Sequence, residues 1–103
     1  MSREFVYEAR DLVDAAVFHK NVLATCRCGH SAILESMDLW AWFSKRGWDD
    51  RLGQVSKHLR CMKCFQADRP KRKPRIELVR KEATVTLPHA DDREFKRVVA
   101  RRR

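Results

Sequence analysis

The chain has 103 residues, with 23 Lys or Arg against 14 Asp or Glu, a formal net charge of +9 and four cysteines. A chain of this length suits one domain that buries about two-thirds of its unfolded surface, which excludes a second independent core. It contains no run of about 20 apolar residues, and MSREFVYEAR carries acidic residues where a secretory leader has basic ones followed by an apolar stretch, so a soluble, cytoplasmic protein without a membrane partner is expected.

In chain order, Glu8 to Phe18 predicts a short helix with Leu12, Ala15, Ala16 and Phe18 along one side. Asn21 to Thr25 reads as a strand leading into Cys26-Arg27-Cys28-Gly29-His30, where Gly29 permits the left-handed turn of a metal knuckle, and Ser31 to Leu34 returns. Asp38 is placed to cap a helix through Arg46 that Gly47 ends. Asp49 or Asp50 starts a second helix, whose Leu52, Val55, Ser56 and Leu59 form a stripe and which delivers Cys61. The proline-flanked stretch from Arg69 to Arg75 breaks regular structure. Arg75 to Leu87 alternates as one or two strands, Pro88 ends it, and Asp91 to Arg103 is a basic helix or a frayed tail.

The cysteines lie in two short pairs, Cys26 with Cys28 and Cys61 with Cys64. In a reducing compartment such pairs are metal ligands or redox centres rather than staples, and two pairs brought together supply the four thiolates of a tetrahedral zinc ion. The redox reading expects Cys-x-x-Cys at the start of a helix after a buried strand, whereas a helix is expected before Cys61. One structural Zn2+ on Cys26, Cys28, Cys61 and Cys64 follows, with His30 as the alternative ligand because C-x-C makes a tight chelate. His58 reads as a packing residue, and His19 and His89 as exposed ones. Metal removal is expected to unfold residues 21 to 66, because structural zinc contributes about 10–16 kcal/mol in small finger peptides.

The segments CRCGHSAIL, LWAWFSKRGW and HLRCMKC resemble a group of short, mostly uncharacterised proteobacterial zinc-ribbon-like proteins. Their pattern is a knuckle ending in C-G-H or C-G-R, a helical segment with a glycine, and a closing L-R-C-x-x-C. The resemblance covers about residues 21–66. A glycine commonly follows the last cysteine in that pattern, where this chain has Phe65, and the first knuckle here is the tighter C-x-C. It implies a zinc-ribbon-like module and carries no reaction or partner with it.

The fold expected is therefore α+β: a small zinc-ribbon-like module with two short helices between the cysteine knuckles. Residues 1–66 form the domain, 67–75 a basic linker, 76–88 strand segments packed on the same domain, and 89–103 a basic helix or tail. Charge is uneven, with 17 Lys or Arg against six Asp or Glu after residue 50. Arg69, Lys71, Arg72, Lys73 and Arg75 form one cluster; Arg101, Arg102 and Arg103 dominate a second. Such clusters neutralise phosphates, so nucleic acid is the expected partner.

Trp40 and Phe43 share a helical face and are expected in the core. Trp42 and Trp48 are the candidates for an interface, and a protein-interaction adaptor or homodimer built on the aromatic helix 38–48 is the alternative function. No phosphate loop, nucleophile elbow or metalloprotease motif occurs, so no catalytic residue is assigned and the protein reads as a non-enzyme.

Overall fold

The computed structural model describes residues 9–101. Glu8 and the N-terminal segment before it, and Arg102 and Arg103, lie outside the described residues. The first helix, α1 (Leu12–Val17), begins where the Asp11 side chain accepts the N–H of Asp14 at 2.9 Å, satisfying one of the donors that a helix start leaves free. Next come the strands β1 (Asn21–Thr25) and β2 (Ser31–Leu34), and then the long helix α2 (Ser36–Arg46). A four-residue helix α3 (Leu52–Val55) runs into a single 3-10 turn, Ser56–His58. The chain is completed by α4 (Met62–Gln66), β3 (Arg75–Val79) and α5 (Asp92–Arg101). This is a small α+β fold with helices α2 and α3 between the two cysteine pairs.

Three of these helices end the same way, with one residue in the left-handed region that turns the chain back over the last turn. After α1 it is His19 (φ 58), after α2 Gly47 (φ 66) and after α4 Asp68 (φ 58). At each, the next residue's N–H reaches back to the helix: Lys20 to Ala15, Trp48 to Phe43 and Arg69 to Cys64, at 2.8–3.0 Å. Only Gly47 was legible as a stop signal, since only glycine adopts this conformation without steric cost.

The sheet is antiparallel in the order β2-β1-β3. Val22 sits opposite Leu34 on one side and Leu78 on the other, and Ala24 sits between Ala32 and Ile76. Because strand residues alternate in facing, these apolar side chains share one face, and the helices cover it. Leu12, Val13, Val22, Leu34, Leu39, Trp40, Ala41, Phe43 and Val55 form the buried cluster, with Leu59, Ile76, Leu78 and Phe95 packed against it. An antiparallel bridge between Asp11 and Arg51 ties the start of α1 to the start of α3.

Four expectations change. Asp38 does not cap α2: Glu35 holds the N-cap position, and Asp38 lies inside the first turn, 5 % exposed. Its carboxylate accepts the N–H of Ala90 at 2.9 Å and faces Nδ1 of the exposed His89 at 3.5 Å, so it fastens the C-terminal segment to α2. The second helix is much shorter than the stripe predicts. Asp49 grips the Arg51 guanidinium, at 2.6 Å from Nη2, instead of capping, and Leu59 is already extended at φ −102, ψ 144.

The third change concerns the predicted strands. Arg75, assigned to the linker, opens β3 and pairs with Thr25, and β3 stops at Val79. The chain then crosses to the other edge of the sheet, where the N–H groups of Thr84 and Val85 both meet the carbonyl of Ile33. The fourth is α4, which was not predicted. At the C-terminus the alternative of a helix holds: α5 sets the Phe95 ring edge-on to Trp40, with centroids 5.5 Å apart.

Candidate metal centre and basic face

The β1–β2 connection is the first knuckle. Cys26 N–H donates to the His30 carbonyl at 2.9 Å, closing the hairpin, and Gly29 N–H donates to the Cys26 carbonyl at 2.9 Å. Gly29 has φ 94, which an L side chain rarely adopts, so the glycine is what lets the turn close. Within it Cys26 is buried and Cys28 exposed. The second pair comes from α4: Cys61 is extended at the helix start, and Cys64 lies one turn later and is buried. The Cys-x-x-Cys does therefore start a helix, contrary to the reading that a helix only precedes it. That helix is five residues long and no strand leads into it.

The sulfurs meet across the two pairs, Cys26 with Cys64 at 3.6 Å and Cys28 with Cys61 at 3.6 Å, and all four lie within 4.8 Å of one another. A disulfide needs about 2.05 Å, and all four cysteines are free. Sulfurs at about 2.3 Å from a tetrahedral zinc stand about 3.8 Å apart, so the cluster fits one metal ion with little adjustment. Among the described residues these four cysteines form the only such group. The His30 ring stays outside it and lines an apolar hollow with Ala32, Leu34 and Leu59.

The thiols differ in how readily they ionise. A hydrogen bond from the His30 backbone N–H, with help from the neighbouring thiols, holds Cys28 down at about 7. Hydrogen bonding with Cys26, and then burial, pushes Cys64 up to about 11. A metal must displace the protons of the unionised thiols, so its affinity rises with pH. Four thiolates around one divalent cation leave roughly two negative charges to be balanced. Arg69 Nη1 lies 3.9 Å from the Cys64 sulfur, held there by the backbone turn that ends α4, and would supply part of that balance if a metal were bound.

Of the residues expected to meet phosphate, Arg69, Lys71 and Arg72 line a hollow of about 210 Å³ beside Cys26, Cys61 and Cys64. Lys71 Nζ also donates to the Lys57 carbonyl at 2.8 Å, which anchors the otherwise irregular segment. Lys73 is exposed next to it, and Arg75 is exposed and paired with Glu77 at 3.2 Å. Arg101 is exposed on α5, no residue of which lines this hollow, and Arg102 and Arg103 lie outside the described residues. Two residues of the face were given no binding role from the sequence, Arg60 and Phe65, the guanidinium carbon of the first lying 4.9 Å from the ring centroid of the second. In the pattern that the chain resembles, a glycine commonly follows the last cysteine, and Phe65 was legible only as a departure from it.

The aromatic helix is largely used up internally. Trp40 and Phe43 are buried. Trp48 stacks on His58, with centroids 4.2 Å apart and planes 8° from parallel, and both present edges to Phe43. Trp42 is half-buried, and the Arg46 guanidinium covers its ring at 3.7 Å. Among the described residues no helix is long and apolar enough to cross a membrane. Compared with known family models, curated proteins and solved structures, the chain matches none.

Proposed function

We propose that this is a small nucleic-acid-binding protein of zinc-ribbon-like type, in which one Zn2+ on Cys26, Cys28, Cys61 and Cys64 has a structural role. Zinc is the favoured ion because an all-sulfur tetrahedral set selects zinc or iron, and four protein ligands leave no open position for catalysis. The observation that carries the reading is the segment which the second cysteine pair anchors. Between Arg60 and Arg75 there are seven Lys or Arg and one Asp, so the face stays basic even after about two negative charges of a zinc tetrathiolate are subtracted. Lys71, Arg72 and Lys73 contact phosphates in this reading, while Arg69 serves the metal as well. The adaptor alternative is less supported, because Arg46 and His58 already cover Trp42 and Trp48.

Titration of labelled DNA and RNA against the zinc-loaded chain at several salt concentrations tests the proposal. Affinity is expected to fall steeply with salt, and replacing Lys71, Arg72 and Lys73 by Ala together is expected to flatten the logarithmic slope by roughly two to three. Absence of binding at low salt contradicts it. Elemental analysis is expected to return one zinc per chain, and stoichiometric iron overturns the assignment of the metal.

A further inference from the structure

The Cys61–Phe65 turn separates two unlike hollows. On one side lies the basic hollow, with Arg60, Arg69, Lys71 and Arg72 against the single acid Asp68. On the other lies an apolar hollow of about 180 Å³, walled by Ala24, Ala32, Leu34, Leu59, Met62 and Val85. Cys26, Arg60 and Cys61 border both, so the two adjoin along one wall. At the rim of this arrangement α4 leaves Met62 at 55 % and Phe65 at 54 % exposure, among the few large apolar side chains that the described fold does not cover.

Charge alone suits any polyanion, whereas the neighbouring apolar surface does not. A duplex keeps its base faces stacked inside and offers phosphates and groove edges, so it gives an exposed phenyl ring no base face to stack on unless a base step is first unstacked. A single strand alternates a phosphate with an unstacked base that has a flat, apolar face, and aromatic platforms beside cationic grooves are how such strands are held. We infer that the Arg60–Arg72 face is a binding site for single-stranded nucleic acid, with a base stacked on the face of the Phe65 ring that Arg60 does not occupy, its neighbour seated over the apolar hollow, and the intervening phosphate held by Arg60, Lys71 and Arg72. This rests on the nucleic-acid reading above and narrows it to unpaired strands.

Fluorescence anisotropy on the full zinc-loaded chain separates the two levels of the claim. The probes are oligo(dT), oligo(U) and a duplex of equal length, and the proteins are wild type, Phe65→Ala and Phe65→Trp. Phe65 is exposed, so metal content and circular dichroism should be unchanged in the variants. The single strands should bind at least about tenfold more tightly than the duplex. Phe65→Ala should remove about tenfold of that affinity without altering the salt slope, and Phe65→Trp should keep it, with its indole fluorescence quenched on binding. Equal affinity for duplex and single strand, or an unchanged affinity in Phe65→Ala, overturns the inference while leaving nucleic-acid binding in place. Absence of binding to all three probes removes both.

Discussion

The helical side of the sheet and the metal side are held by different physics. On the helical side, Phe43, Leu12, Leu39, Val13, Val22 and Val55 are fully buried, and they come from α1, α2, α3 and β1. On the metal side, between Arg60 and Arg75, only Cys64 and Pro74 are buried, and the backbone bonds within α4 and its closing turn are local. Apolar burial is distributed and survives the loss of one ligand. The Arg60–Arg75 segment depends on two cysteines, one lysine contact and its junction with β3. The expectation that metal loss unfolds all of residues 21–66 is accordingly narrowed to the knuckle and the segment after His58.

The largest expected effect is at the cysteines. Cys64→Ser should abolish stoichiometric metal binding and release the 60–74 segment to proteolysis, while the near-ultraviolet dichroism of Trp40 and Trp48 persists; metal analysis and limited digestion read both. Phe43→Ala should do the reverse. It should cost about 3–5 kcal/mol of global stability in denaturant melts, in metal-loaded and chelated protein alike, because its cavity lies in the apolar cluster.

Asp38→Ala should cost about 1–3 kcal/mol by leaving the N–H of Ala90 without its acceptor, and should free α5, seen as lost amide protection over residues 90–101. Gly47→Ala should cost about 1–2 kcal/mol, the penalty of a Cβ in the left-handed region, whereas His19→Gly should be neutral or slightly stabilising.

The smallest effect concerns Asp49, whose hydrogen bonds from Arg51 lower its pKa to about 2. A carboxylate with a depressed native pKa stabilises above its unfolded value of about 3.9, and that contribution is lost as pH falls through about 2. Asp49→Asn should therefore lower the melting temperature slightly at pH 5, less in high salt because the pair is exposed, with the difference closing near pH 2.

Legibility followed the same division. Val22, Gly29, Gly47, Trp40 and Phe43 act through period or conformation that a sequence displays, so β1, the knuckle, the end of α2 and the aromatic part of the core could be read directly. Met62-Lys63-Cys64-Phe65-Gln66 shows no apolar period; α4 brings the Cys61 and Cys64 sulfurs to the same cluster as those of Cys26 and Cys28, a tertiary arrangement that no local pattern displays. Asp38 and Asp49 are good caps by type, but the N–H of Ala90 claims the first carboxylate, and the guanidinium and backbone N–H of Arg51, itself the N-cap residue of α3, claim the second. The exposure of Phe65, on which the single-strand inference depends, is set by packing that no local pattern encodes.

Hydrogen exchange of the zinc-loaded and chelated protein, resolved along the chain, tests the division most directly. Chelation is expected to remove protection from residues 26–30 and 60–74 and to leave most of it in α1, α2 and β1. Loss of protection along the whole chain, or no loss anywhere, contradicts it.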